Sequence, residues 1–153
     1  MSTVRQLLRT KPADIWTIAP QASVYDALQL MADKDIGALL VLESGRLVGV
    51  FSERDYTRKV VLHGKSSRST TVGELMTQVV YYVRPDQTVE DCLGLMTGRH
   101  IRHLPVMEND QLVGIVTIGD IAKETMSQQA FTIRTLEQYI TGGVAAGPRA
   151  TTT

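Results

Sequence analysis

The chain has 153 residues with 16 basic and 16 acidic side chains, a formal net charge of zero and 43% hydrophobic residues. This composition is typical of one soluble globular domain, and it argues against a broad basic surface for nucleic acid. The N-terminus lacks the apolar core of a secretory signal, and the longest apolar run, residues 36–42, is far short of the roughly 20 residues that span a bilayer. We therefore expect a cytoplasmic protein that binds neither nucleic acid nor membrane.

Two copies of one sequence pattern make up most of the chain. When residues 15–61 are aligned with residues 80–126, 14 of the 47 positions are identical, against about three expected by chance. We predict repeat 1 over residues 15–62 and repeat 2 over residues 79–126. The other predicted segments are a helical lead-in at 1–14, a polar linker with a short helix at 63–78, a short C-terminal helix at 127–141 and a disordered tail at 142–153.

Each copy predicts the same elements in the same order. A short apolar strand, at residues 15–18 or 80–83, precedes a helix that a capping box begins at Ser23 or Thr88. Two strands joined by a turn follow, at 36–42 and 47–51 or at 104–107 and 112–117, and a further helix begins at Ser52 or Thr117. One such unit is too small to bury a sufficient core alone. The sequence therefore predicts an α/β fold of two tandem β-α-β-β-α repeats packed about a pseudo-twofold axis.

Cysteine and histidine give no sign of a metal centre. The single Cys92 cannot form an intramolecular disulfide, and its helical spacing from Val89 and Met96 predicts a buried structural thiol. The three histidines lack the spacing of metal ligands and have no paired carboxylates beside them. We predict no metal site and no catalytic residue.

The strand-to-helix junctions carry the strongest local signal, because both copies have a hydroxyl residue three positions before an aspartate. These pairs are Ser52 with Asp55 and Thr117 with Asp120. One interpretation is a capping box, worth about 1 kcal/mol and needing no ligand. The other is a nucleotide site, since a helix N-terminus attracts phosphate and a carboxylate can accept both hydroxyls of a ribose. The residues of the junctions leave both interpretations open.

A second cluster lies at the start of the second predicted strand of repeat 2. Pro105 cannot donate to a ladder, which predicts an edge or an open end there. Arg102 and His103 would then flank an exposed backbone that could bind an adenine edge, and they would offer positive charge to phosphates. The alternative is a solvated basic strand start.

Residues 15–126 resemble a tandem pair of CBS domains, the cystathionine β-synthase-type regulatory module also called a Bateman module. The paired motifs that end at Asp55 and Asp120, the segment 102–106 and the first helices carry the resemblance. It implies a CBS-pair fold, a homodimer, no catalytic cofactor, and two clefts that bind AMP, ADP, ATP, NAD or S-adenosylmethionine as a regulatory ligand. It implies a first cleft of Ser52, Arg54, Asp55, Val80, Tyr81, Ile101, Arg102, His103 and Pro105, and a second of Ile15, Trp16, Ile36, Gly37, Ala38, Thr117, Gly119 and Asp120.

The two copies differ in ways that favour one cleft. Repeat 1 has Gly37 and Ala38 where repeat 2 has Arg102 and His103, and it has Arg54 where repeat 2 has Gly119. These differences place cations in the first cleft, which we expect to be the better phosphate site. Phosphate binding in the second cleft should be weaker or should depend on Lys123. Trp16 could serve either in core packing or in adenine stacking.

The functional prediction is a non-enzymatic sensor for signal transduction, in which an adenosine nucleotide shifts a conformational or oligomeric equilibrium. The regulated protein is not indicated by the sequence. One alternative is an interaction module whose clefts are empty and whose repeats only dimerise or dock on a partner. A nucleotide hydrolase is a third reading, but Asp55 and Asp120 lie in separate copies without a second carboxylate to complete a metal pair.

Overall fold

The computed structural model describes residues 2–12 and 14–141, so the tail predicted at 142–153 lies outside the described residues. Helices and strands alternate along the chain. In chain order they are α1 (Val4–Arg9), β1 (Thr17–Ile18), α2 (Val24–Lys34), β2 (Ala38–Glu43), β3 (Arg46–Ser52), α3 (Glu53–Asp55) with its π-helical continuation (Tyr56–Val61), α4 (Val72–Leu75), α5 (Val89–Arg99), β4 (His103–Glu108), β5 (Gln111–Thr117) and α6 (Ile118–Thr141).

Each repeat is organised around an antiparallel hairpin, β2–β3 in repeat 1 and β4–β5 in repeat 2. The two hairpins have the same register, because Ala38 pairs with Ser52 and His103 pairs with Thr117. The turns of both hairpins hold two residues at positive φ, Ser44 and Gly45 or Asn109 and Asp110, as tight hairpin turns require. The predicted α/β architecture of two tandem repeats is confirmed.

The first strand of repeat 2 is weaker than the sequence predicts. In repeat 1, β1 pairs in parallel with β2, whereas residues 80–83 of repeat 2 make only an isolated bridge between Val83 and Val106. The cause is Pro105, which stands where repeat 1 has Leu40. Proline has no N–H to donate, so the ladder does not extend past this bridge. This side of β4 is therefore open, as the sequence predicts.

The C-terminal helix also differs from the prediction. Instead of one helix that ends near residue 126 and a second short helix after it, α6 is continuous over 24 residues. No glycine or proline occurs between Asp120 and Thr141, so the backbone meets no residue that would end the helix.

The two lead-in helices are exchanged between the repeats. Val4 and Leu7 of α1, which precedes repeat 1, are buried in the core of repeat 2. Val72 and Leu75 of α4, which precedes repeat 2, are buried in the core of repeat 1. Equivalent backbone hydrogen bonds hold both helices, from Val4 to Gln87 and from Val72 to Ala22, each of 2.8 Å.

In each repeat, a glycine lies in close contact with the lead-in segment that precedes the other repeat. A Cβ atom on Gly49 would lie 2.6 Å from the sulfur of Met76 and 3.1 Å from the backbone oxygen of Thr77. A Cβ atom on Gly114 would lie 2.8 Å from a methyl carbon of Leu8. The identity of Gly49 and Gly114 across the repeats therefore reflects close packing.

Within the described residues, no helix combines the length and hydropathy needed to cross a bilayer.

We predict that alanine has opposite effects at two glycines of this fold. Gly49→Ala should lower the free energy of unfolding by about 1–3 kcal/mol, because the new methyl group overpacks against Met76 and Thr77. Gly94→Ala, on α5, should raise it by about 0.5–1 kcal/mol, since nothing lies within 4 Å of the added atom and alanine favours helix. Urea unfolding of both variants measures this, and equal shifts would contradict the packing argument.

Candidate functional site

A cavity of about 1040 Å³ opens between the two repeats, with walls from both. β3 and α3 bring residues of repeat 1 to it, and α5 and the start of β4 bring residues of repeat 2. Of the nine residues predicted for the first cleft, the cavity is lined by Ser52, Arg54, Asp55, Val80, Tyr81, Ile101, Arg102 and His103. Pro105 instead lies buried within β4, where its carbonyl accepts a hydrogen bond from the Val83 N–H at 3.0 Å.

The carboxylate of Asp55 is the most buried charged group of this cavity, with 8% of the residue exposed. It completes the predicted capping box, since Oδ2 accepts the Ser52 N–H at 3.0 Å while the Asp55 N–H donates to Ser52 Oγ at 3.2 Å. Oδ1 accepts the Thr77 hydroxyl at 3.1 Å and lies 3.0 Å from Lys59 Nζ. The cap interpretation is therefore realised, and the same carboxylate faces the cavity.

Positive charge predominates on the cavity wall. Its cationic side chains are Arg54, Arg58, Lys59, Arg99 and Arg102, against the carboxylates Glu53 and Asp55. Arg54 also joins the repeats, because its guanidinium donates to the His100 carbonyl at 3.1 Å. A net positive wall lowers the free energy of an anionic ligand, above all one that carries phosphate.

His103 adds no charge to this wall at neutral pH. Burial lowers the pKa of His103 below its ordinary 6.5, and the nearby cations Arg102 and Lys11 lower it further, against the weaker opposite effect of Asp120. The imidazole is therefore neutral at pH 7. This corrects the expectation that Arg102 and His103 both offer positive charge.

An aromatic ring beside a cation occurs at the same place in each repeat. The guanidinium of Arg99 lies 4.8 Å from the centre of the Tyr81 ring, and the ammonium of Lys34 lies 4.3 Å from that of Trp16. Trp16 is 37% exposed, so it does not belong to the core. The repeat alignment pairs both the rings and the cations, a signal that the sequence analysis did not use.

The residues predicted for the second cleft lie on several elements of the fold. Thr117 and Asp120 form a capping box at the start of α6, with hydrogen bonds of 2.9 and 3.1 Å, and Gly119 lies between them in the sequence. Gly37 instead lines the first cavity, about 4 Å from the His103 ring measured from its ideal Cβ position. The remaining predicted residues lie just before β1 or at the start of β2; they are Ile15, Trp16, Ile36 and Ala38.

Lys11, in the segment after α1, forms an ion pair with Asp120, the carboxylate predicted for the second cleft. Its ammonium donates to Asp120 Oδ2 at 2.6 Å and to the Ile115 carbonyl at 2.7 Å. Burial alone would raise the pKa of Asp120, but hydrogen bonds from Lys11 and from the Thr117 backbone outweigh it and lower this pKa below 3.8. The sequence analysis missed Lys11 because nothing local in the sequence links it to a residue more than a hundred positions away.

Other polar clusters give no sign of a second chemistry. Among residues 2–12 and 14–141, no group of three His, Cys, Asp or Glu side chains could hold a metal ion. Cys92 is buried in the repeat 2 core, as predicted, and burial raises the pKa of its thiol to about 11. The thiol is therefore protonated and shielded at neutral pH.

Comparison with known proteins gives a consistent result. A family profile for the CBS domain matches residues 4–62 and again residues 72–127. "CBS domain-containing protein CBSX3, mitochondrial" of Arabidopsis thaliana is 38% identical over 126 residues. The match covers 79% of this chain and 61% of that relative, so the chain spans less than two thirds of its length.

Solved structures give the same answer. A protein with CBS domains from Burkholderia ambifaria MC40-6 superposes with a TM-score of 0.82 at 46% identity, covering 84% of this chain and 96% of the other. The CBS domain pair of protein MJ0100, in complex with methylthioadenosine and S-adenosyl-L-methionine, superposes with a TM-score of 0.73 at 25% identity, covering 84% and 98%.

The ion pair at Asp120 predicts a pH-dependent contribution to stability. Because the folded pKa of Asp120 is lowered, its contribution is present above about pH 4, the ordinary range of an aspartate, and is lost as the pH falls through the folded pKa. Lys11→Met should therefore lower the free energy of unfolding by about 2 kcal/mol at pH 7 and by less near pH 3.

Urea unfolding at both pH values measures this difference. Arg5→Met is the matched control, since Arg5 lies on the same segment but pairs with Glu108 at the exposed surface, and its loss should stay below about 1 kcal/mol. The same loss for Lys11→Met at pH 7 and pH 3 would contradict the expected role of the ion pair.

Proposed function

The chain belongs to the CBS-domain family, as a tandem pair of the regulatory type, and from this premise we propose that it is a non-catalytic sensor that binds an adenosine nucleotide in the first cleft. AMP, ATP and NAD are the proposed ligands. The chain acts in signal transduction by passing ligand occupancy to a regulated protein partner.

One observation carries the proposal: a nearly buried carboxylate faces a cavity whose wall is otherwise net positive. A nucleotide has both complementary parts, a ribose diol that donates hydrogen bonds and phosphates that carry negative charge. Asp55 would accept the diol, and Arg54 and Arg102 would neutralise the phosphate. The volume of about 1040 Å³ lies at the upper end of the range for small-molecule sites. The MJ0100 pair, which binds two adenosine compounds, supports the choice of ligand.

The adenine would lie between the apolar residues of repeat 2 that line the same cavity. Val80 and Ile101 offer aliphatic surface, and Tyr81 offers a ring that already has a cation beside it. Exposed strand backbone near Arg102 can hydrogen-bond the base edge, because the ladder does not continue on that side of β4. Binding of the diol requires Lys59 to leave Asp55, which a rotation of its 41% exposed side chain allows.

Binding can alter the relation between the repeats because the cleft spans both. The Arg54–His100 hydrogen bond crosses the cleft mouth, and a phosphate that recruits Arg54 would replace that contact. A ligand shifts a conformational equilibrium only by its unequal affinity for the two states. The competition for Arg54 supplies such a difference.

A second candidate function is a dimerisation module with no ligand. Exposed apolar residues on α6 favour it, since Phe131, Ile133 and Leu136 are each more than half exposed and such surfaces often mark interfaces. The two functions are compatible, because a cytoplasmic homodimer could also bind nucleotide. They separate in one measurement: only the sensor gains thermal stability when nucleotide is added.

We predict that Asp55→Ala weakens nucleotide binding by at least tenfold. Calorimetric titration with AMP, ATP, NAD and S-adenosylmethionine should show at least one ligand that binds wild type in the micromolar range. Asp26→Ala is the control, because Asp26 lies in the first turn of α2, where Ser23 caps the helix, at an exposed position outside the cavity. No binding to wild type below millimolar, or equal binding to Asp55→Ala, would refute the proposal.

The phosphate contribution has its own prediction. Arg102→Ala should raise the dissociation constant for AMP about tenfold and leave that for adenosine nearly unchanged, because adenosine has no phosphate to lose a charge-assisted contact. Arg46→Ala, at the first residue of β3 and away from the cavity, should change neither constant. If Arg102→Ala weakened the binding of AMP and of adenosine equally, Arg102 would instead contact the base or the ribose.

A further inference from the structure

The two motif aspartates each hold a lysine ammonium, but the lysines come from different places. Lys59 lies one turn after Asp55 on the same helix, with 41% of its side chain exposed. Lys11 comes from the segment after α1, 109 positions before Asp120, and the two side chains are only 20% and 18% exposed. Release of Asp55 breaks an ion pair within one helix and a hydrogen bond from Lys59 to the Leu75 carbonyl at 3.0 Å, whereas release of Asp120 breaks a contact between the N-terminal segment and repeat 2.

In the second cleft, Lys11 makes the hydrogen bonds that Thr77, in the lead-in of repeat 2, makes in the first cleft. There Thr77 donates its N–H to the Val50 carbonyl at 2.9 Å and its hydroxyl to Asp55 at 3.1 Å. In repeat 2 the equivalent acceptors are the Ile115 carbonyl and Asp120, and both are bound by the single Lys11 ammonium. The backbone N–H and the short hydroxyl side chain of Thr77 are thus replaced by one ammonium group at the end of the flexible Lys11 side chain.

The segment that carries Lys11 is otherwise fixed on repeat 2. Val4 and Leu7 are buried in the repeat 2 core, and α1 ends at Thr10, immediately before Lys11. Release of Lys11 therefore leaves α1 in place and frees the chain only beyond it. The ammonium can move away from Asp120 without unfolding of the repeat.

We propose that Lys11 gates the second cleft, so that a nucleoside reaches Asp120 only after the ammonium has left. This inference rests on the proposed function, because it assumes that a ribose diol binds the motif aspartate. The apparent affinity of the second cleft is then reduced by the small fraction of molecules in which Lys11 is released. The first cleft fills at the lower ligand concentration, and occupancy of the second cleft loosens residues 10–12.

The test uses full-length protein with the first cleft disabled by Asp55→Asn and adenosine as the probe. In this background, Lys11→Met should lower the dissociation constant of adenosine at least tenfold, since it keeps the side-chain length and removes the charge. Adding Asp120→Asn to the Lys11→Met protein should abolish this increase in affinity for adenosine. Arg5→Ala, on α1 but away from Asp120, should leave the dissociation constant unchanged. Circular dichroism and melting verify that each variant is folded, and Lys11→Gln replaces Lys11→Met if it is not.

Unchanged or weaker adenosine binding by the folded Lys11 variants would overturn the gate. Weaker binding of AMP alone would overturn it as well, because Lys11 would then be a phosphate ligand. In wild type, amide hydrogen exchange at Thr10 and Lys11 should accelerate only as the second equivalent of adenosine binds, and exchange that does not change at two equivalents contradicts the proposal. Failure of the proposed function looks different, because the first equivalent is then missing from protein with Asp55 intact.

Discussion

Each repeat completes its hydrophobic core with a helix that belongs, in sequence, to the other repeat. Val4 and Leu7 fill repeat 2, and Val72 and Leu75 fill repeat 1. Because neither unit of this size can bury a sufficient core by itself, the exchange makes the folding of one repeat depend on the other. It also holds together the two repeats, both of which line the cavity. The cavity is therefore a consequence of how the cores are closed.

The same duplicated scaffold produces two clefts with different electrostatics. Both have a hydroxyl–aspartate capping box of nearly the same geometry, but their surroundings differ. The first has five cations on its wall, one of which bridges the repeats. In the second, the aspartate is already neutralised by a lysine from the lead-in. A duplication thus keeps the backbone geometry while substitutions at a few side chains give the two copies different electrostatics.

The sequence predicts the parts of this arrangement that depend on local pattern. Helical spacing and the turn residues predict the order of elements, and the internal alignment identifies Asp55 and Asp120 as equivalent. It does not predict the contacts of Lys11 or Thr77, because each donates to a residue whose proximity arises only from the exchange of lead-in helices. The break expected near residue 126 is absent since the polar residues 127–129 interrupt the apolar pattern but include no residue that ends a helix. The neutral state of His103 depends on burial, which composition does not reveal.

The capping box of Thr117 and Asp120 lies at the start of α6, the longest helix among the described residues. A change in the angle of α6 at this end therefore moves its other end. Its 24 residues correspond to a rod about 36 Å long, and residues 127–138 are all exposed. A tilt of about 10° at the fulcrum beside Asp120 would displace the far end by about 6 Å. A small change of angle beside Asp120 would therefore become a displacement at the far end that a neighbouring protein could detect.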